Sequence, residues 1–136
     1  MTTDGSRRYA AGMELGRAVE SLRAAELCLQ AEFVNSAASR AYYAMFQAAQ
    51  VALEAAGVAR AQWSHPVLQA TFAAELIHRR KIFPSVFHDH LSVGLGVRQT
   101  ADYGNGGVSR QIAQRMVRRA AAFVSTVQGG ARGPER

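Results

Sequence analysis

The feature that most constrains the fold is the segment 35–56, which reads NSAASRAYYAMFQAAQVALEAA. It contains neither glycine nor proline and is rich in alanine, the strongest helix former, so a helix is predicted. Small and apolar side chains surround the helix axis, which is typical of a helix covered on several sides within a bundle. Asn35 or Ser36 is a suitable N-cap, and Gly57 fits the position just after the C-terminus.

Four further helices are predicted from apolar residues at helical spacing, over about 13–32, 64–81, 86–103 and 109–128. Ser64 and Ser109 are expected to cap the third and the fifth. Gly94 and Gly96 lie inside the fourth, and close approach of a neighbouring helix is a reason for both. No segment has a β-pattern. We therefore expect an all-α fold with about five helices and an antiparallel four-helix bundle core over residues 13–128, between a flexible leader (1–12) and a disordered tail (129–136).

The charge is strongly basic, because 136 residues carry a formal net charge of +6 and all but one of the 16 basic residues are arginine. A basic surface favours RNA, DNA or an acidic protein as partner. Arginine with abundant alanine is also what a GC-rich genome would give, so this interpretation stays open beside the functional one. No apolar run approaches the roughly 20 residues of a membrane span, and nothing resembles a signal peptide. We expect a cytoplasmic protein without membrane contact.

A polar stripe interrupts the apolar surface of segment 35–56. Its members recur at steps of three and four and comprise Ser36, Arg40, Tyr43, Gln47, Gln50 and Glu54. The guanidinium of Arg40 must reach an anion or solvent, because an unpaired buried charge is very costly. Arg98 and Asp102, four residues apart on the fourth predicted helix and followed by Tyr103, form a second polar set.

Two interpretations of these sets remain open. In the structural one, Arg40 or Arg98 pairs with Asp102 across the bundle. In the functional one, Arg40, Tyr43, Arg98, Asp102 and Tyr103 line a groove that binds a phosphate backbone or a nucleotide. The chemistry suits that ligand, since guanidinium groups match phosphate oxygens and aromatic rings stack on bases.

No metal or cofactor site is predicted. His88 and His90 are two residues apart and would point in nearly opposite directions on a helix, and the sequence has no cysteine pair, HExxH pattern or P-loop. His65 is the remaining candidate for acid–base catalysis. It lies at a predicted helix start, where it either hydrogen-bonds the local backbone or, if it faces Arg98, transfers protons.

Three segments in this order, SRAYYAMF (39–46), Ser64-His65 and RQTADY (98–103), resemble the small bacterial HEPN-domain proteins over roughly residues 13–127. The resemblance implies a HEPN-like helical bundle, a homodimer, and often a minimal nucleotidyltransferase as partner in a toxin–antitoxin-type pair. Active members are metal-independent ribonucleases in which an arginine and a histidine, separated by four to six residues, act across the dimer interface.

This sequence departs from that catalytic motif. Arg98 matches the arginine, but Asp102 and Tyr103 stand where the histidine is expected. The spacing also occurs from Arg60 to His65, in a loop, where we interpret it as a chance match. The leading expectation is therefore a nucleotide- or RNA-binding protein with a degenerate catalytic motif. The alternatives are a divergent metal-independent ribonuclease with His65, Arg98 and Tyr103 as catalytic candidates, and a non-catalytic helical interaction module.

Overall fold

The computed structural model describes the backbone of residues 3–130 and the side chains of residues 15–129. The helices are α1 (Thr3–Gln30), α2 (Val34–Ala55), α3 (His65–Phe72), α4 (Val86–Tyr103) and α5 (Arg110–Gly130), and a π-helical segment (Ala73–Arg79) continues α3. No strand occurs in residues 3–130, and the predicted all-α class is confirmed. Residues 131–136, most of the predicted tail, lie outside the described residues.

Helix α2 is the centre of the bundle, as its composition predicts. It packs against α1, α4 and α5 along its length and also contacts α3. Eleven of its 22 residues are buried, and seven of these are alanines that allow the neighbouring helices to approach closely: Ala37, Ala38, Ala41, Ala44, Ala48, Ala49 and Ala52. The largest fully buried side chain in α2 is Tyr42. The residues of the polar stripe, in contrast, are all at least partly exposed.

The N-terminus of α2 differs from the prediction. The helix begins at Val34, with Phe33 at the cap position and no side-chain cap. Asn35 lies within the first turn, and its Oδ1 accepts a hydrogen bond of 2.9 Å from the backbone N–H of Val108. The side chain thus fixes the α4–α5 connection instead of capping its own helix.

Three other predicted helix ends agree with the structure. Gly57 has a φ of +87°, the left-handed conformation expected just after α2. Ser64 accepts from the Val67 N–H at 3.3 Å and Ser109 from the Ile112 N–H at 3.1 Å. Helix α1 begins at Thr3, earlier than the start near residue 13 that the local glycines suggested.

The two glycines of α4 have different environments. A Cβ added to Gly94 would lie 3.0 Å from Met45 Cε and 3.2 Å from the Tyr42 ring, so α2 and α4 approach closely there. A Cβ on Gly96 would meet nothing within 4 Å. The predicted close approach is therefore correct at Gly94 and wrong at Gly96.

The third predicted helix, over 64–81, is not one regular helix. After Phe72 its hydrogen bonds change from the α-helical to the π-helical spacing, and the segment ends with the bond of 3.1 Å from the Arg80 N–H to the Glu75 carbonyl. Among the described helices, none is long and apolar enough to cross a membrane.

Candidate functional site

The site begins with Arg98 on α4, which contacts two of the predicted site residues. Its Nε donates to Asp102 Oδ2 over 3.1 Å, one turn further along the same helix. Its guanidinium carbon lies 5.1 Å from the centre of the Tyr43 ring on α2, within the range of a cation–π contact. Asp102 therefore pairs along α4, and the pairing across the bundle that the sequence suggested is replaced by the Tyr43 contact. Ser39 Oγ adds a weak hydrogen bond of 3.4 Å to Asp102.

A second pair links α2 to the start of α3. The hydroxyl of Tyr42, whose residue is completely buried, lies 2.7 Å from His65 Nδ1. The His65 ring also packs against Phe46, with ring centres 4.8 Å apart. The Ser64 cap and Pro66 start α3 at this point, and they place the imidazole on the face of α2 that carries Tyr42. His65 is therefore held by a side chain, and not by the local backbone.

The charge state of this pair follows from its surroundings. Burial raises the pKa of Tyr42 to about 12, although Gln69 and Arg98 act in the opposite direction. Burial, together with the positive charge of Arg98, lowers the pKa of His65 from its ordinary value. At neutral pH the phenol is protonated and the imidazole is neutral, so we assign the Tyr42 hydroxyl as donor to Nδ1. The proton of the imidazole is then on Nε2. The charge of Arg98 thus acts to lower the pKa of both Tyr42 and His65, while its guanidinium contacts Tyr43.

A groove runs along the polar stripe of α2 beside these residues. It has a volume of about 390 Å³ and is bordered by α1, α2 and the α2–α3 loop, with Arg17, Tyr43, Phe46, Gln47, Gln50, Glu54, Ala59, Arg60, Ala61 and Trp63 as its lining. We call it the Trp63 groove. The Arg60 guanidinium lies over the Trp63 indole at 5.5 Å from the ring centre. Four residues of the predicted stripe therefore line one continuous depression.

Two predicted site residues lie apart from Arg98 and Tyr43. Arg40 is exposed and borders a separate depression together with Ser39 and Asp102. Tyr103 is 78 % exposed at the C-terminus of α4. In the structure, Arg98 thus contacts both Tyr43 and Asp102. Arg40 lies near Asp102, and Tyr103 lies apart at the surface.

Sequence reasoning missed Tyr42, Arg60 and Trp63 as site residues. Tyr42 is fully buried, and nothing in its spacing distinguishes it from a core residue. Arg60 and Trp63 did give a signal, because a cation and the only tryptophan of the sequence stand three residues apart in a polar loop before His65. Within the described residues, no group of three or more His, Cys, Asp and Glu side chains is arranged to hold a metal ion.

Comparison with known protein families identifies the family of this chain. The model of the family described as the HEPN domain matches residues 13–130, which is most of the chain and includes every residue of the site described above. No curated protein matches the chain significantly.

Proposed function

The chain belongs to the HEPN-domain family, a nucleotide- and RNA-related family, and we propose that it binds RNA or a nucleotide through Arg98 and the residues around it. We further propose that it acts as a homodimer and as the HEPN half of a nucleotidyltransferase-linked pair of the toxin–antitoxin type. The pairing rests on the resemblance of its motifs to those of small bacterial HEPN proteins. A nucleotidyltransferase encoded next to this gene, whose product copurifies with this chain, is the expected finding.

The observation that carries RNA binding is the fixed position of Arg98. Its Nε is engaged by Asp102 and its face by Tyr43, while its two terminal nitrogens donate to no described residue. A guanidinium held in this way is pre-organised to bind a phosphate with the remaining N–H groups. The side chain is 16 % exposed, so part of it is accessible from solvent.

The test is RNA binding by wild type, Arg98→Ala, Arg98→Lys and Arg118→Ala, with Arg118 as an exposed arginine of α5 that has the same charge. We expect Arg98→Ala to weaken binding to single-stranded RNA about tenfold or more. Arg98→Lys should restore it only in part, because an ammonium lacks the planar fork. Arg118→Ala should behave like wild type, and the wild-type affinity should fall steeply as salt rises.

Equal RNA affinities of Arg98→Ala and Arg118→Ala would contradict this function. If the wild type binds no RNA at modest salt and Arg98→Ala only lowers the melting temperature, the chain is instead a helical interaction module, in which Arg98 serves to join α2 and α4.

A second candidate function is a metal-independent ribonuclease. The contact of His65 with Tyr42, and the effect of Arg98 on both, favour it. Such a reaction would require the other tautomer of His65, in which Nδ1–H donates to the Tyr42 oxygen and Nε2 is free. Nε2 would accept the proton of the RNA 2′-hydroxyl as that oxygen attacks the adjacent phosphorus, the bond from phosphorus to the 5′-oxygen would break, and the imidazolium would return the proton to that leaving oxygen. Arg98 would stabilise the charge that develops on the phosphate oxygens. Tyr103, at the end of α4, remains a candidate third residue.

Cleavage of RNA in the presence of EDTA tests this candidate. A ribonuclease of this kind should lose activity in both His65→Ala and Arg98→Ala, and its pH–rate profile should change in His65→Ala. If His65→Ala cleaves RNA as fast as wild type, His65 is not the acid–base residue. Tyr103→Phe, which keeps the aromatic ring, shows whether the hydroxyl of Tyr103 takes part.

A further inference from the structure

The Trp63 groove has an aromatic ring at its edge, and this ring is the feature that points to a ligand. Trp63 lies in the loop between α2 and α3 and is only partly buried. The guanidinium of Arg60 covers part of its ring at 5.5 Å, which restrains the indole without burying it. A large aromatic ring kept in place at the edge of a cavity is suited to stacking against a planar ligand.

The polar side chains of the groove include groups that are available to a ligand. Gln47 is already engaged, since its Oε1 accepts from Ser21 over 2.8 Å. Gln50 and Glu54, which line the same cavity, form no side-chain hydrogen bond with any described residue. They offer an amide and a carboxylate at spacing i, i+4 on one face of α2. Such groups can pair with the polar edge of a base.

Positive charge completes the set of groups that a nucleotide requires. Arg60 forms no ion pair with a described residue, so its N–H groups are available to a phosphate while its face contacts Trp63. Arg17 of α1 also lines the groove. The volume of about 390 Å³ lies within the range of about 300–1,000 Å³ that is usual for small-molecule sites.

We infer that the Trp63 groove binds one nucleotide, with its base stacked on Trp63 and facing Gln50 and Glu54, and with its phosphate on Arg60. This inference deepens the proposed function and rests on it where the nucleotide is part of an RNA chain. Tyr43 connects the Trp63 groove to Arg98, because its ring lines the groove and also contacts the Arg98 guanidinium. An unpaired base of RNA enters the groove while Arg98 holds an adjacent phosphate. A free mononucleotide has the same chemistry and fills the groove alone.

Because Trp63 is the only tryptophan of the chain, its fluorescence reports on the groove directly. The wild-type protein is titrated with AMP, GMP and UMP, with ribose 5-phosphate, with a single-stranded oligoribonucleotide, and with an oligomer of the same length that has abasic sites. We expect nucleotides and the oligoribonucleotide to quench Trp63. Ribose 5-phosphate and the abasic oligomer should not, since they lack the stacking base.

Binding is then measured by calorimetry for Trp63→Phe, Trp63→Ala and the control Phe33→Ala, which removes an exposed aromatic ring outside the groove. Trp63→Ala should weaken binding of the oligoribonucleotide about tenfold, in line with the effect of losing one stacked base. Trp63→Phe should lose less affinity for the oligoribonucleotide, and Phe33→Ala should bind it as tightly as wild type. Arg98→Ala should weaken binding of the oligoribonucleotide but not of mononucleotides, because only the oligoribonucleotide reaches both sites.

The outcomes separate the two proposals. If RNA binds in an Arg98-dependent manner but no nucleotide changes the Trp63 fluorescence, the groove inference is wrong and the proposed function stands. If no RNA binds but mononucleotides quench Trp63, the groove is a free-nucleotide site and RNA binding is wrong. Equal quenching by ribose 5-phosphate and by AMP overturns base stacking, and no quenching by any probe overturns the groove inference whatever RNA does.

Discussion

Replacing Tyr42 by phenylalanine tests the contact that connects the core of the bundle to the site. The substitution removes one oxygen and keeps the buried ring, so the packing against Gly94 and Phe46 is preserved. The lost group is the hydroxyl that lies 2.7 Å from His65 Nδ1. Tyr43→Phe is the matched control, because Tyr43 is the next residue on α2 and its hydroxyl forms no hydrogen bond with a described residue.

The expected cost follows from the burial of the two partners. A hydrogen bond of this kind contributes about 0.5–1.5 kcal/mol to the free energy of unfolding. The full penalty of an unsatisfied buried group is not expected, since His65 is only half-buried. We therefore expect a loss of about 1 kcal/mol. For 136 residues, an unfolding entropy of about 2.1 cal/mol/K per residue makes this a fall of roughly 3–4 °C in melting temperature.

The assay is thermal and urea unfolding of wild type, Tyr42→Phe and Tyr43→Phe at pH 7.5. Tyr43→Phe should lie within about 0.5 kcal/mol of wild type, as is usual away from buried contacts. If Tyr42→Phe is no less stable than Tyr43→Phe, the hydroxyl does not hold His65. In that case α3 would be positioned by its apolar contacts alone, and the assignment of the imidazole proton to Nε2 would lose its basis.

Three further predictions concern α4 and the histidines. Gly94→Ala should destabilise the protein, because overpacking costs about 1–3 kcal/mol and the gain in helix propensity is only about 0.5–1 kcal/mol. Gly96→Ala has the gain in helix propensity without overpacking and should raise the melting temperature. Equal changes in melting temperature for the two variants would contradict the packing described. Arg98→Ala should raise the pKa of His65 in an NMR titration, since it removes a nearby positive charge. The pKa of His90, which is lowered by burial and by a different arginine, should stay unchanged. The pKa values of both histidines are lowered in the folded state, so the unfolded chain binds more protons near pH 6. The free energy of unfolding should therefore fall as the pH drops from 7 towards 5. A melting temperature that is constant over this interval would contradict this prediction.

The sequence was sufficient to predict those parts of the fold that depend on neighbouring residues. The alanine-rich α2, the Ser64 and Ser109 caps and the left-handed Gly57 each follow from a preference that acts within a few positions. The pair Arg98 and Asp102 depends on the same kind of local geometry, since a spacing of four on a helix brings the two side chains together, although the sequence analysis expected a pairing across the bundle.

The contacts that build the site depend instead on how the helices pack. Tyr42 and His65 are 23 positions apart, and a tyrosine on the buried face of α2 is indistinguishable from any other core residue until α3 is placed. Asn35 looked like an N-cap, but its partner Val108 lies 73 positions away. The Trp63 groove exists only because the α2–α3 loop lies beside α1, which no periodicity describes.

The π-helical segment after α3 bears on how the length of this chain can change. A turn closed between residues five apart contains one residue more than an α-helical turn, so the segment holds an additional residue without a loop. Its end is fixed separately, because the N–H groups of Ile82 and Phe83 both bond to the Leu76 carbonyl. Deleting the exposed Ala74 should therefore convert the segment to a regular α-helix and leave α4 in place. Members of the family that are one residue shorter between α3 and α4 are expected to have lost that residue here.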